Sequence, residues 1–219
     1  MIEALFPPRV HTATAEIRDD ARLHPEEEPL AASMSEARRA EFASARVCAR
    51  RALAPLGHSE AAIGRGERRM PLWPEGVVGA LTHRDGWCAA AVGRAQDWLG
   101  IGLDAEPWKP LSRRALERIS TDAEREALAT LPCGPEHWGP VVFSAKECLY
   151  KALFPHTRIF LGFREAEIAL EVEDPRAGRF VATLLQPAST DRLGARRLEG
   201  RFRFEAERGL ALTGLAVPA

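Results

Sequence analysis

Leu99-Gly100-Ile101-Gly102-Leu103-Asp104-Ala105-Glu106 is an apolar run that leads without a break into two acids. Its length and its flanking signals read as a strand. If the strand continues through the acids, residues two apart project from the same face, so Asp104 and Glu106 point the same way. Two carboxylates on one face repel unless something positive sits between them. Such hard oxygen ligands suit Mg²⁺, which takes one or two carboxylates and fills its shell with water and phosphate oxygens. The plain alternative is a solvated strand end with two acids turned to water.

About forty residues on, Phe143-Ser144-Ala145-Lys146-Glu147-Cys148-Leu149-Tyr150-Lys151 falls in a stretch, 140 to 153, that reads as helix and stops at Pro155. Glu147 and Lys151 are four apart and share a face, and Lys146 lies roughly 100° around from Glu147. A carboxylate flanked by two ammonium groups suits a metal-bound diphosphate, the acid on the metal and the lysines on phosphate oxygens. Two plain readings compete. Ser144 and Glu147 have the spacing of a capping box, and Glu147 with Lys151 reads as an exposed pair worth roughly 0.3–0.5 kcal/mol.

Outward from these segments the rest takes shape. Residues 1 to about 32 read as irregular, with the acidic run Glu26-Glu27-Glu28. Ser35 to Leu56 reads as a helix, with Ser35 as N-cap and Gly57 as the stop. Arg39, Arg46 and Arg50 share one of its faces. The loop Gly64-Arg65-Gly66-Glu67-Arg68-Arg69 follows. Val77 to Leu81 and Trp87 to Val92 read as a hairpin about Asp85-Gly86, with His83 just after the first strand. Residues 111 to 131 read as one helix. Strands are expected at 166 to 172 and 179 to 185. Leu198, Gly200, Phe202 and Phe204 alternate with charged residues as a half-buried strand does, and Glu207-Arg208-Gly209 turns it into a last strand, 210 to 217. Interspersed helices and antiparallel strands give the class α+β.

Composition narrows the function. In 219 residues the formal net charge is −1, with 46% hydrophobic and 28% charged residues. That suits a globular chain with a sizeable core and offers no bulk basic field for nucleic acid. No run reaches the ~18 apolar residues of a membrane span, and Met1 to Val10 lacks the order of a signal peptide, so a cytoplasmic protein is expected. Cys48, Cys88, Cys133 and Cys148 form no C-x-x-C pair and read as reduced, mostly buried thiols. Arg46, Arg50, Arg65 and Arg68 are candidates for phosphate because the guanidinium fork matches it; Arg38, Arg39 and Arg51 read as solvated.

The combination G-I-G-L-D-A-E at 100–106 and F-S-A-K-E-x-x-Y-K at 143–151 resembles the two-part signature of the Sfp/EntD-type 4′-phosphopantetheinyl transferases. The likeness runs from about residue 30 to the end and leans to the mycobacterial-like EntD branch. R-R-A-E-F and A-R-V-C-A-R near 38 to 50, L-T-H-x-x-G-W at 81–87, Phe154-Pro155, Leu161-Gly162-Phe163 and the closing R-G-L-A-L-T-G extend it. The resemblance implies two similar α+β halves in a pseudo-twofold arrangement, here 1–102 and 103–219, with coenzyme A in the cleft between them. It implies Asp104, Glu106 and Glu147 as metal ligands, for Mg²⁺ or Mn²⁺. It puts Asp104, Lys146 and Lys151 at the coenzyme A phosphates, with Thr82, His83, Arg46, Arg65 and Arg68 about the nucleotide. Arg65 and Arg68 stand where related members often carry lysine, and Cys148 where serine or alanine is common.

The implied reaction is that of a holo-[acyl-carrier-protein] synthase. A carrier serine attacks the β-phosphorus of coenzyme A and adenosine 3′,5′-bisphosphate leaves, with Glu147 as general base and Lys151 stabilising charge. The implied partners are apo carrier proteins or domains of fatty-acid, polyketide, nonribosomal-peptide and siderophore synthesis, met by a monomer. The helix from Ser112 to Leu131, with Arg113, Arg114 and Arg118, is a candidate surface for acidic carriers; the plain reading is a solvated face. Two rivals keep the same residues: a non-catalytic carrier-binding homologue, and a Mg²⁺-dependent diphosphate hydrolase acting on coenzyme A.

Overall fold

A computed structural model describes residues 2–219; Met1 lies outside the described residues. After a 3-10 turn at Ile2–Leu5 the chain forms β1 (His11–Glu16), which the irregular reading of residues 1–32 did not anticipate. Its Thr-Ala alternation holds no large apolar side chain, and it owes its place to antiparallel pairing with β5, from His11 opposite Val92 to Glu16 opposite Trp87. A second 3-10 turn (Pro25–Glu27) and the single-turn α1 (Glu28–Ala31) follow. The turn is fixed by Glu27, fully buried. Its carboxylate accepts from Arg50 Nη1 at 2.8 and 3.0 Å, from the Ile63 N–H at 2.8 Å and from the His24 N–H at 2.9 Å. That many donors keep a buried carboxylate satisfied.

Helix α2 (Glu36–Leu53) begins as expected, with the Ser35 side chain accepting from the Arg38 N–H. It ends through a 3-10 turn at Gly57, whose φ of 89° suits glycine. Small residues Ala45, Cys48, Ala49 and Ala52 lay α2 on Cys88, Ala90 and Val92. A short ribbon, β2 (Gly64–Arg65) and β3 (Pro71–Leu72), leads to β4 (Val77–Arg84) and β5 (Trp87–Arg94). Asp85 and Gly86 both take positive φ, 47° and 80°, as a two-residue hairpin requires. Strand β4 runs farther than the apolar run suggested, so His83 lies inside it.

β6 (Trp98–Pro107) carries on through both acids, and the boundary drawn at 102 falls within it. The helix expected over 111–131 is two, α3 (Arg113–Ile119) and α4 (Asp122–Ala129). Ser120 leaves the helical region at φ −122° and ψ 154°, and Thr121 starts α4 with a capping box to Glu124. Helix α5 (Pro135–Thr157) outruns the expected 140–153. Pro140 inside it has no N–H for the Glu136 carbonyl, and that carbonyl accepts instead from the Leu111 N–H at 3.0 Å. β7 (Ala166–Asp174), β8 (Ala177–Leu184), α6 (Pro187–Leu193), β9 (Arg197–Glu205) and β10 (Leu210–Pro218) complete the chain.

Among the described residues the strands form sheets in the orders β1-β5-β4, β6-β10-β9-β8-β7 and β2-β3, all antiparallel. The two larger sheets carry one long helix each, α2 on the first and α5 on the second, which is an α+β architecture. Strands β4 and β6 pack side by side and join the sheets. Ile101, Leu103 and Ala105 of β6 face Ala80, Trp87, Ala89 and Ala91 of the first sheet. The even-numbered residues of β6 face α5. Leu149, Leu153 and Val142 of α5 complete the larger core with Phe180, Phe202 and Leu215.

Candidate active site

The site starts from the two glycines of β6. A Cβ built on Gly100 would stand 2.1 Å from the Ala152 carbonyl oxygen, and one on Gly102 2.1 Å from that of Cys148. The backbone of α5 therefore lies directly on β6. Two strand residues span about 6.6 Å and four helix residues about 6 Å, so strand and helix stay in step over several residues. One step beyond Gly102 and Cys148 come Asp104 and Ser144. Ser144 Oγ lies 2.8 Å from Thr213 Oγ1, and Thr213 pairs in register with Asp104. Ser144 is thus a buried mid-helix residue, which excludes the capping-box reading. Lys151 donates to Asp104 Oδ1 at 2.7 Å and to the Leu103 carbonyl at 3.2 Å, so its bonded partner is Asp104 and not Glu147, and the exposed-pair reading fails too.

Glu147 lines a cleft of about 1010 Å³ that lies between α5 on one side and α2, β4 and the β2–β3 ribbon on the other; Asp104 and Glu106 do not line it, and Asp104 is linked to it through Lys151. Glu147, Tyr150, Lys151 and Phe154 of α5 line one side; Arg38, Phe42 and Arg46 of α2, His83 of β4 and Arg65, Arg68 and Arg69 of the ribbon line the other. Asp104 is 4% exposed, and its Oδ2 is buried without a partner. The Glu106 carboxylate is held by Arg84. Burial raises the Glu106 carboxyl above its usual range, with Arg84 opposing and the charge of Asp104 adding. Burial and then the charge of Asp104 raise Glu147 likewise, with Lys151 opposing.

Arg46 is almost fully buried. Its Nε donates to the Ile63 carbonyl at 3.2 Å, its guanidinium lies 3.3 Å from the Phe42 ring centroid, and Glu27 stands 4.0 Å away. Burial lowers its pKa to about 10, against the pull of Glu27, so it stays a cation at neutral pH. Arg65 and Arg68 are exposed on the ribbon, with Arg68 stacked 4.8 Å over the Phe160 ring. Burial, then Arg38, lowers the pKa of His83. Arg38 Nη1 lies 2.7 Å from His83 Nε2. Arginine can only donate, so Nε2 is the acceptor and the neutral ring carries its proton on Nδ1.

Four sequence readings change here. Lys146 does not face the cleft. Its buried ammonium donates to the Ile119 carbonyl at 2.8 Å, Glu124 Oε2 at 2.7 Å and the Phe163 carbonyl at 2.6 Å, which uses all three hydrogens. The 100° offset from Glu147 puts it on the side of α5 that meets α4. Thr82 is buried on the opposite face of β4 from His83, as strand alternation requires, and does not line the cleft. Arg38, read as solvated, lines the cleft beside His83, while Arg39 pairs with Glu28 away from it. Arg50, another phosphate candidate, is occupied by Glu27 and the Arg22 carbonyl. In the sequence reading Arg69, Arg84 and Tyr150 have no role and Arg38 is solvated. Only contacts across the fold distinguish these arginines from the chain's many others.

Among the described residues no three or more His, Cys, Asp or Glu stand close enough to hold a metal ion as they are placed. The donor set nonetheless suits a hard cation: the charge of Asp104 adds to the raised pKa of both Glu106 and Glu147, and Asp104 Oδ2 is buried and orphaned.

Comparison with known proteins bears on the same elements. A family model described as the 4′-phosphopantetheinyl transferase N-terminal domain matches residues 26–93, and one described as the 4′-phosphopantetheinyl transferase superfamily matches residues 100–199. The chain is 44% identical to the 4′-phosphopantetheinyl transferase Npt of Nocardia iowensis, over 99% of each chain. It is 44% identical to Svp of Streptomyces mobaraensis, over all of this chain and 90% of that one. It is 42% identical to PptT of Mycobacterium tuberculosis, over 88% and 85%. Svp and PptT carry the same enzyme description as Npt.

Proposed function

The chain belongs to the 4′-phosphopantetheinyl transferase family, and from that premise we propose that it moves the 4′-phosphopantetheine group of coenzyme A onto a serine of an apo carrier protein. The observation that carries the reading is the cleft itself, with Glu147 and Lys151 on one wall and a bank of arginines on the other. A nucleotide joined through a diphosphate to an uncharged arm has that distribution of charge. Arg46, Arg65, Arg68 and His83 take the nucleotide's phosphates, joined by Arg38 and Arg69. Lys151 faces the diphosphate from beside Asp104.

Asp104, Glu106 and Glu147 would hold a divalent cation, Mg²⁺ or Mn²⁺. When bound, that ion supplies positive charge to the diphosphate as negative charge builds on the leaving group. The chain's own residues do the rest. Glu147, made more basic by burial, accepts the proton of the carrier serine. The serine oxygen bonds to the β-phosphorus as the bond to the bridging oxygen breaks, and adenosine 3′,5′-bisphosphate leaves. Lys151 stabilises charge at that oxygen. The exposed Arg113, Arg114 and Arg118 of α3 offer an acidic carrier a landing face.

The test is the intact mass of an apo carrier incubated with the protein, coenzyme A and Mg²⁺. A gain of one phosphopantetheine group, abolished by EDTA, is expected. Glu147→Gln should lose turnover while coenzyme A still binds. Coenzyme A cleavage without carrier modification would point to the hydrolase instead.

A further inference from the structure

Arg84 has no part in the scheme above, yet it sits at its edge. It ends β4 just before the Asp85-Gly86 turn, so a rigid hairpin fixes its position. Its guanidinium crosses from the first sheet to the second and binds the Glu106 carboxylate. Both ends of this seam are incompletely satisfied. Arg84 Nε is buried with no partner, and so is Asp104 Oδ2, two residues before Glu106 on the same face of β6. Buried donors and acceptors left unpaired are costly, and the pair of orphans marks an arrangement that a ligand would complete.

We infer that Arg84 is a resident cation beside these acids: it holds Glu106 in place before a divalent cation arrives and competes with that cation for the same carboxylate. The inference rests on the reading of Glu106 as a cation ligand. A guanidinium and a divalent cation cannot both sit on one carboxylate without repelling each other, so the guanidinium weakens the hold on the cation. Arg84 is a positioning residue in this role. It keeps Glu106 ordered and its charge balanced, and the site's affinity for the free cation is lower as a result. Lys151 does the same for Asp104 from the other side, but it also faces the cleft. Arg84 is therefore the residue that can be changed to isolate the effect.

The experiment is a titration of the whole protein with Mn²⁺ in the absence of coenzyme A, with free Mn²⁺ read by electron paramagnetic resonance. Thermal unfolding in EDTA checks that each variant is folded. Arg84→Gln should bind Mn²⁺ on the order of tenfold tighter, the scale of one repelling charge removed from a partly exposed site. Glu106→Gln should bind it more weakly, and in the double variant the gain from Arg84→Gln should vanish. Unchanged or weaker binding in Arg84→Gln, with Glu106→Gln impaired, overturns the proposal. No effect of Glu106→Gln overturns the reading of Glu106 beneath it. Should Arg84→Gln fail to fold, Arg84→Met keeps the aliphatic stem and is judged by the same outcomes.

Discussion

The ammonium of Lys146 is enclosed by two carbonyls and the Glu124 carboxylate, and Glu124 also accepts from the Thr121 and Ile168 N–H groups. Removing one partner of a buried pair leaves the other charge uncompensated. Lys146→Met should therefore lower stability by about 3–5 kcal/mol in urea unfolding, while the folded fraction still binds coenzyme A. Lost binding at unchanged stability would return Lys146 to the substrate. His83 makes a prediction in pH. Its folded pKa lies below the ordinary 6.5 because of burial and of Arg38, Lys151 and Arg84, with Glu41 opposing. Below about pH 6.5 the unfolded chain takes up a proton that the folded ring refuses, so His83 costs stability as the medium is acidified and nothing above that range. His83→Gln should flatten the fall in melting temperature between about pH 7 and 5; an identical slope would show that other groups govern it.

At the level of elements, the meshing of β6 and α5 sets the site's geometry. Gly102→Ala would drive a methyl group into the Cys148 carbonyl. Backbone cannot yield as a flexible side chain does, so a loss at or above the top of the roughly 1–3 kcal/mol typical of overpacking is expected in chemical denaturation. Turnover should suffer further, because α5 carries Glu147 and Lys151. A well-tolerated alanine would mean the helix can slide without harm. The elements also show where local reading stopped. The break between α3 and α4 was written as Thr121-x-x-Glu124, a capping-box spacing, inside an otherwise continuous helical pattern. Strand β1 had the right alternation but only threonine and alanine to express it, and its pairing partner lies some seventy-five residues away.

Over the whole molecule the formal charge is −1, yet one wall of the cleft gathers Arg38, Arg46, Arg65, Arg68 and Arg69. The field is local, so salt should act on it. Raising NaCl from about 0.05 to 0.5 M should weaken binding of adenosine 3′,5′-bisphosphate on the order of tenfold, since screening shortens from over 10 Å to a few ångströms. Calorimetry checks this, and Arg38→Gln should make the salt dependence shallower. Salt-independent binding would remove the arginine wall from phosphate recognition. The same arginine-rich α2 also serves folding. Arg39, Arg46 and Arg50, on one face as their spacing implied, meet Glu28 and Glu27 of the preceding turn and bind the N-terminal segment down.

Local periodicity was enough to place Asp104 and Glu106 on one face of a strand, Glu147 and Lys151 on one face of a helix, the Asp85-Gly86 hairpin and the closing strands. Those are properties of bonded neighbours and of the 2.0 and 3.6 repeats, which the residues themselves carry. What each face meets was a different question. That Lys146 turns to Glu124, that Thr82 and His83 part company, that Arg38 reaches His83 and that Arg84 holds Glu106 all depend on contacts between residues tens of positions apart. Those contacts exist because two glycines let α5 settle on β6 and because β4 packs beside β6, and only the assembled tertiary structure decides them.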